Sequence, residues 1–329
     1  MSLSLHSTGA RSGMTLIELV VVLALLAGLA AMVLTGAGDL GNRGRYDETA
    51  LRMRLIREAV VGNGVEPGRF VRDMGRLPMV HDDTDGVRLE ELWRDAGGIG
   101  YGTVTSNLAS GGWQWPEWTR FSGHLPGTVE LVCGWNGPYL MMNDPATAES
   151  YDGFGNVWLV SGGAVGDVIT NVVSLGSDNA VGGTLWDEED QVLDLDALLP
   201  DTELTVLIKA RNSTNAQDVA WRPVEPVGAA AVWTNTPPYR LHKLHVALFA
   251  PEVGADAAAI RRTLLPAVAT DVAGAVTFTG LTPTRCRVFA YGYLGNPPEA
   301  ASLQTSGLEP EPVTLNPGQN IITLYLREP

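Results

Sequence analysis

The chain has 329 residues, with 22 Lys and Arg against 37 Asp and Glu, for a formal net charge of −15. So acidic a chain is a poor partner for nucleic-acid phosphates, and that class of function is set aside first. Hydrophobic residues at 45% suffice for about two domains with real cores, and 38 Gly with 20 Pro favour turns and β structure over a helical bundle.

Residues 1–13 are polar and carry Arg11 without an acid. Positive charge ahead of an apolar run places that end on the cytoplasmic side of a membrane. Glu18 follows, and the next charge is Asp39. The uncharged stretch 19–38 has the length an α-helix needs to cross roughly 30 Å of hydrocarbon, so a transmembrane helix is expected. A carboxylate at the position of Glu18 then costs on the order of 2.5 kcal/mol unless it is paired. Gly36, Gly38, Gly41 and Gly44 weaken the helix beyond that stretch. A helical pattern resumes at Tyr46, with Leu51, Leu55 and Ala59, extended by Ile56 and Val60, as the apolar side. Gly62 and Asn63-Gly64 end it.

The run Arg11-Ser12-Gly13-Met14-Thr15-Leu16-Ile17-Glu18, with the apolar stretch behind it, resembles the type IV prepilin signature. The resemblance implies cleavage after Gly13 by prepilin peptidase, N-methylation of Met14, and a contact of Glu18 with the N-terminal amine of a neighbouring subunit. The physics agrees, since a cation from the next helix relieves an isolated acid. Two other readings are an ordinary signal anchor with a snorkelling Glu18, and a secretory signal cut at Leu29-Ala30-Ala31. Pilins often carry a proline near the weak point of the helix; here no Pro occurs before Glu66, so glycines would do the loosening.

Residues 65–150 are rich in loops and hold Trp93, Trp113, Trp115 and Trp118. The segment His81-Asp82-Asp83-Thr84-Asp85-Gly86, set in the register of an EF-hand, places His81 first and Leu92 where the bidentate Glu belongs, so it reads as a solvated turn. Ser110 to Trp115 reads as a loop with buried aromatics, with a sugar platform as the alternative. Glu90 and Glu91 read as an acid pair on the surface.

A second resemblance covers the segment from Gly134 to Asp190. Gly134-Trp135-Asn136-Gly137-Pro138-Tyr139-Leu140, Asp152-Gly153-Phe154-Gly155-Asn156-Val157-Trp158 and Val173-Ser174-Leu175-Gly176-Ser177-Asp178 are similar, in the same order, to segments of the major pseudopilin of type II secretion. Locally they read as turns between strands near Val157–Ser161 and Val168–Ser174. In that family the last loop binds calcium, which takes six to eight oxygen ligands. The resemblance implies Leu175 and Asp178 as ligands. The family's later acids fall on Gly182 and Gly183 here, so Asp187 and Glu188, with Glu189 and Asp190 beside them, would have to complete the site. The alternative is an exposed acidic hairpin.

From about 195 to 329 the chain reads as a separate β domain, with apolar or alternating runs at Leu204–Ala210, Leu244–Ala250, Ala275–Phe278, Val288–Tyr291 and Ile321–Leu326, and one candidate helix at Asp256–Leu265. The stretch Gly274 to Tyr291 resembles the strand-corner-strand of transthyretin-like sandwiches. Cys133 and Cys286 read as two buried thiols or one disulfide. No HExxH, GxSxG, GxGxxG or P-loop pattern occurs, and His242 and His245 share a face only on a helix, so no catalytic residue is assigned.

The expected fold class is therefore α+β. A long N-terminal transmembrane helix packs on a small antiparallel-sheet pilin head, and an all-β sandwich follows. The expected segments are a leader 1–13, a helix 14–62, a pseudopilin-like head 63–194 and a sandwich 195–329. The expected function is a structural subunit of a type II secretion pseudopilus or pilus-like filament, not an enzyme. Its partners would be prepilin peptidase, other pilin subunits and the inner membrane, crossed once with the head in the periplasm. The alternative is a minor pilin or adhesin that displays the sandwich at a filament end.

Overall fold

The computed structural model describes residues 15–82, 88–98, 100–107, 128–141, 150–211, 218–220, 222–223, 240–241, 243–253, 260–269, 274–293, 303–307 and 309–326. Gly13 and Met14 lie outside them, as do Trp113, Trp115, Trp118, His242 and the turn 83–87.

Helix α1 spans Leu16–Val60, 45 residues. Apolar side chains of its first half are exposed: Leu16 is 82% exposed, Leu23 57% and Met32 75%. Its second half is docked on the head. Thr49, Met53, Ile56 and Val60 are buried, spaced four, three and four apart, which keeps them on one face of a helix. This differs from the sequence expectation, because Leu51 and Leu55 remain exposed. Both stripes are apolar along α1, and only the surface it packs against chooses between them. The chain stops being helical at Val61, and Gly62 takes φ +94°, where an added Cβ would meet the Glu66 carbonyl oxygen at 2.1 Å.

The expected transmembrane helix is corrected here. No helix among the described residues is long and apolar enough to cross a membrane. Within α1 the apolar side chains Leu16, Leu23, Leu29 and Met32 are exposed. Charged Arg43, Arg45, Asp47 and Glu48 occupy the following turns. The expected single pass through the inner membrane, with a periplasmic head, loses its basis with that helix.

The head continues with α2 (Arg69–Met74), a 3₁₀ turn at Glu90–Leu92, the antiparallel pair β1 (Gly102–Asn107) and β2 (Thr128–Cys133), and an antiparallel sheet of β3 (Leu159–Val160), β4 (Asn171–Ser174) and β5 (Gln191–Asp194). Short α3 (Leu195–Leu198) closes it, with Asp194 as N-cap. One core joins Met53, Ile56 and Val60 of α1 to Phe70, Met74, Leu92, Trp158 and Val172.

The remaining strands build two facing sheets. β6 (Thr202–Arg211) lies between β12 (Ala275–Leu281), antiparallel, and β16 (Gly318–Tyr325), parallel, and also pairs β7 (Asp218–Ala220). β8 (Arg222–Pro223) and β9 (Arg240–Leu241) form a short parallel pair. β10 (Lys243–Val253) runs between β11 (Ile260–Ala269) and β13 (Arg285–Tyr293), and β13 also pairs β14 (Leu303–Thr305) and β15 (Glu311–Thr314). Leu204, Val206 and Phe278 from one sheet and Val246, Leu248 and Val288 from the other share one core. Residues 260–265 pair with β10, where the sequence suggested a helix. A free strand edge outweighs a weak helical period there.

Cys133 and Cys286 are buried and form no disulfide with each other. Burial pushes the Cys286 thiol up to about 12. In the native chain Cys286 is therefore expected to resist iodoacetamide at mildly alkaline pH and to label fully once unfolded, as read by peptide mass. Fast native labelling would mean that its strand opens readily.

Candidate functional site

The start of α1 is locally self-contained. Thr15 is its N-cap; the Glu18 backbone N–H donates to Thr15 Oγ1 at 3.3 Å, while the Thr15 backbone N–H and hydroxyl donate to Glu18 Oε2 at 2.9 and 3.1 Å. This capping box was legible as Thr-x-x-Glu, but the prepilin resemblance drew attention to Glu18 alone. The backbone N–H of Thr15, then its hydroxyl, hold the Glu18 carboxyl below the usual carboxylate range. Glu18 therefore stands as an exposed anion at the tip of an uncovered apolar rod.

The docking of α1 is carried by the turn that begins at Asp152. The Gly153 N–H donates to Thr49 Oγ1 at 2.9 Å, and Arg52 donates to the carbonyls of Tyr151 and Asp152 at 2.5 and 3.0 Å. Only glycine fits at 153, since a Cβ would stand 2.1 Å from the Arg45 carbonyl oxygen. Asp152 is buried; its Oδ1 accepts from the N–H groups of Phe154 and Asn156, and its Oδ2 accepts from the Ser174 hydroxyl at 2.6 Å. Asn156 Nδ2 donates to the Gly176 carbonyl at 2.8 Å. Two segments singled out in the sequence, 152–158 and 173–178, are thus stitched to each other, and the first to α1. The third, at 134–140, packs elsewhere on the head, where Trp135 Nε1 donates to the Glu91 carbonyl at 2.6 Å.

The carboxylates of the loop 175–190 point to separate partners. Asp178 is exposed, and its Oδ1 accepts from the Ala180 N–H at 3.1 Å. Asp187 is buried; its Oδ2 accepts from Asn42 Nδ2 of α1 at 2.6 Å and from the Ser177 hydroxyl at 3.2 Å. Glu188 Oε2 accepts from the N–H groups of Thr184 and Leu185 and the Thr184 hydroxyl, each at 3.1 Å. Asp190 Oδ2 accepts from the Gly182 N–H at 2.9 Å, and its Oδ1 is buried without a hydrogen-bond partner among the described residues. Leu175 is half-buried. Among the described residues no three His, Cys, Asp or Glu side chains stand together closely enough to hold a metal ion.

Sequence reasoning missed a buried charge cluster in the head. Glu91 is 1% exposed and bound by Arg76 through two contacts of 2.6 and 3.0 Å, by the Met79 N–H at 2.9 Å, and by His81 Nε2 at 3.1 Å. Burial alone pushes the Glu91 carboxyl up. The close contact of His81 and the hydrogen bonds and charge of Arg76 outweigh it and hold the carboxyl low. The pair read as a surface cluster is therefore interior, and His81 belongs to the core contact rather than to a solvated turn. An Arg fifteen residues before an acid was the available signal, and it is a weak one. Head and sandwich meet where Thr284 Oγ1 donates to the Arg72 carbonyl at 3.0 Å, Arg287 Nε donates to the Glu130 carbonyl at 3.0 Å, and Arg285 donates to the Tyr101 hydroxyl.

No family model and no curated protein matches the chain. Among solved structures the chain is similar to the crystal structure of GBS52, the minor pilin in the Gram-positive pathogen Streptococcus agalactiae, at 10% identity and a TM-score of 0.21. The match covers 48% of this chain and 60% of that one, less than two thirds of its length, and a likeness at this score carries no argument about fold or role.

Proposed function

We propose that this chain is a structural subunit of a pilin-like filament of the type II secretion pseudopilus class. The observation that carries the reading is the division of α1: one half docked on the head, the other carrying exposed apolar side chains between Leu16 and Met32. Bare leucines and valines over several turns are costly in water, at about 25 cal/mol per Å² of apolar surface. Helices of the same kind from other copies cover such a rod on every side. Prepilin peptidase would cut after Gly13, Met14 would be methylated, and its amine would meet Glu18 of the neighbour at the rod's tip. The order of the three pseudopilin-like segments supports the class. A second reading places the subunit at a filament end. The observation that favours it is the bulk of a sandwich with its own core, which each copy in a uniform fibre would have to accommodate.

The test is recovery of surface fibres from cells making the natural chain or Glu18→Ala, with mass spectrometry of the N-terminal peptide and of subunit abundance. The expected result is a peptide that starts at methylated Met14, and fibres that exclude the Glu18→Ala chain. High abundance selects the repeating subunit and low abundance the end subunit. An intact Met1 start with no fibre association overturns both.

A further inference from the structure

We propose that the loop 175–190 is a metal-independent clasp, in which side chains of this chain do what a bound cation does in the pseudopilins it resembles. The inference rests on the loop's own geometry and stands whether or not the filament reading holds.

Three observations converge. First, each acid that a calcium ion would need is turned to a different donor. Glu188 closes on the turn at Thr184-Leu185, Asp190 on Gly182, Asp178 on Ala180, and Asp187 on Asn42 and Ser177. Calcium requires six to eight oxygens aimed at one point, and among the buried side-chain oxygens of this loop Asp190 Oδ1 is the one without a hydrogen-bond partner. Second, Gly183, one of the two glycines standing where the family carries acids, is demanded by packing, while Gly182 takes φ +73° with open space beside it. A Cβ at Gly183 would lie 2.4 Å from the Glu188 Cβ and 2.5 Å from its carbonyl oxygen; one at Gly176, at φ +69°, would lie 2.8 Å from the carbonyl oxygens of Asp187 and Glu188. The backbone and Cβ of Glu188 occupy the space a side chain at 183 would fill. Third, the loop is fastened to α1. Asn42 reaches Asp187, Gln191 Nε2 donates to the Tyr46 carbonyl at 3.4 Å, and Trp186 packs edge-on against the Tyr46 ring, centroids 5.7 Å apart.

In this clasp the carboxylates act as acceptors, and their charge is dispensable. Each donor set on Asp187 and Glu188 converges on one oxygen, which an amide oxygen reproduces. The test is limited proteolysis of the full-length chain in mild detergent with a glutamyl endopeptidase, following cleavage after Glu189. The chain is compared in EDTA and in calcium chloride, and as Asn42→Ala and the double variant Asp187→Asn, Glu188→Gln. The proposal expects equal cleavage with and without calcium, about 5- to 10-fold faster cleavage of Asn42→Ala, and cleavage of the double variant within about twofold of the natural chain. Slowing by calcium of about tenfold or more, or opening of the loop by the double variant as large as that by Asn42→Ala, overturns it in favour of a cation site. The calcium comparison and the double variant keep the test decisive if Asn42→Ala does not fold.

Discussion

Arg76→Ala is expected to destabilise the head by about 3–5 kcal/mol, because it removes one partner of a buried pair and leaves the other charged in the interior. The Arg76 and Glu91 side chains are 10% and 1% exposed, and the guanidinium also donates to the Leu77 carbonyl at 2.8 Å. His81 stays beside Glu91, but a single imidazole contact does not replace a bidentate guanidinium. The pH dependence has a definite sign. The folded Glu91 carboxyl lies below its unfolded value of 4.5, so its contribution is present above that value and fades as pH falls through the folded one. Urea unfolding of the natural chain should therefore weaken in acid, and Arg76→Ala should flatten that dependence. A loss under about 1 kcal/mol, with the acid limb unchanged, would show that the cluster is solvated and the pair worth little.

Gly153→Ala is expected to loosen the head from α1 at a cost of about 2–3 kcal/mol, the range for forcing atoms into a packed contact. The added methyl would meet the Arg45 carbonyl oxygen at 2.1 Å and the Thr49 backbone nitrogen at 2.8 Å, both helix backbone that cannot step aside. Thr49→Ala separates this contact from general crowding. It removes the acceptor of the Gly153 N–H and adds no bulk, and is expected to cost about 1–3 kcal/mol for an unsatisfied buried donor. The two changes act on one contact, so the double variant should fall short of their sum. Chemical denaturation followed by far-ultraviolet circular dichroism checks both. Full additivity would mean that the turn and helix are not coupled through this hydrogen bond.

Much of the local architecture was legible in residue order. The stop at Gly62 needs only a residue that tolerates φ +94°, and the strands β6, β10, β12, β13 and β16 carry apolar runs that alternate or continue over the right lengths. Thr15 and Glu18 cap a helix from three positions apart. A length free of charge over 19–38 does not by itself make a membrane span: Thr35, Gly36 and Gly38 carry no charge and add little apolarity.

By itself, then, the sequence determined the cap of α1, its stop at Gly62 and the apolar runs of β6, β10, β12, β13 and β16, because caps, glycines and side-chain alternation act over a few residues. Tertiary structure alone decided which stripe of α1 faces the head, that Glu91 lies buried against Arg76, and that Asp187 reaches Asn42 across 145 positions. Burial and hydrogen-bond partners depend on what the folded chain brings alongside, and neighbours in space leave no period or spacing in the chain.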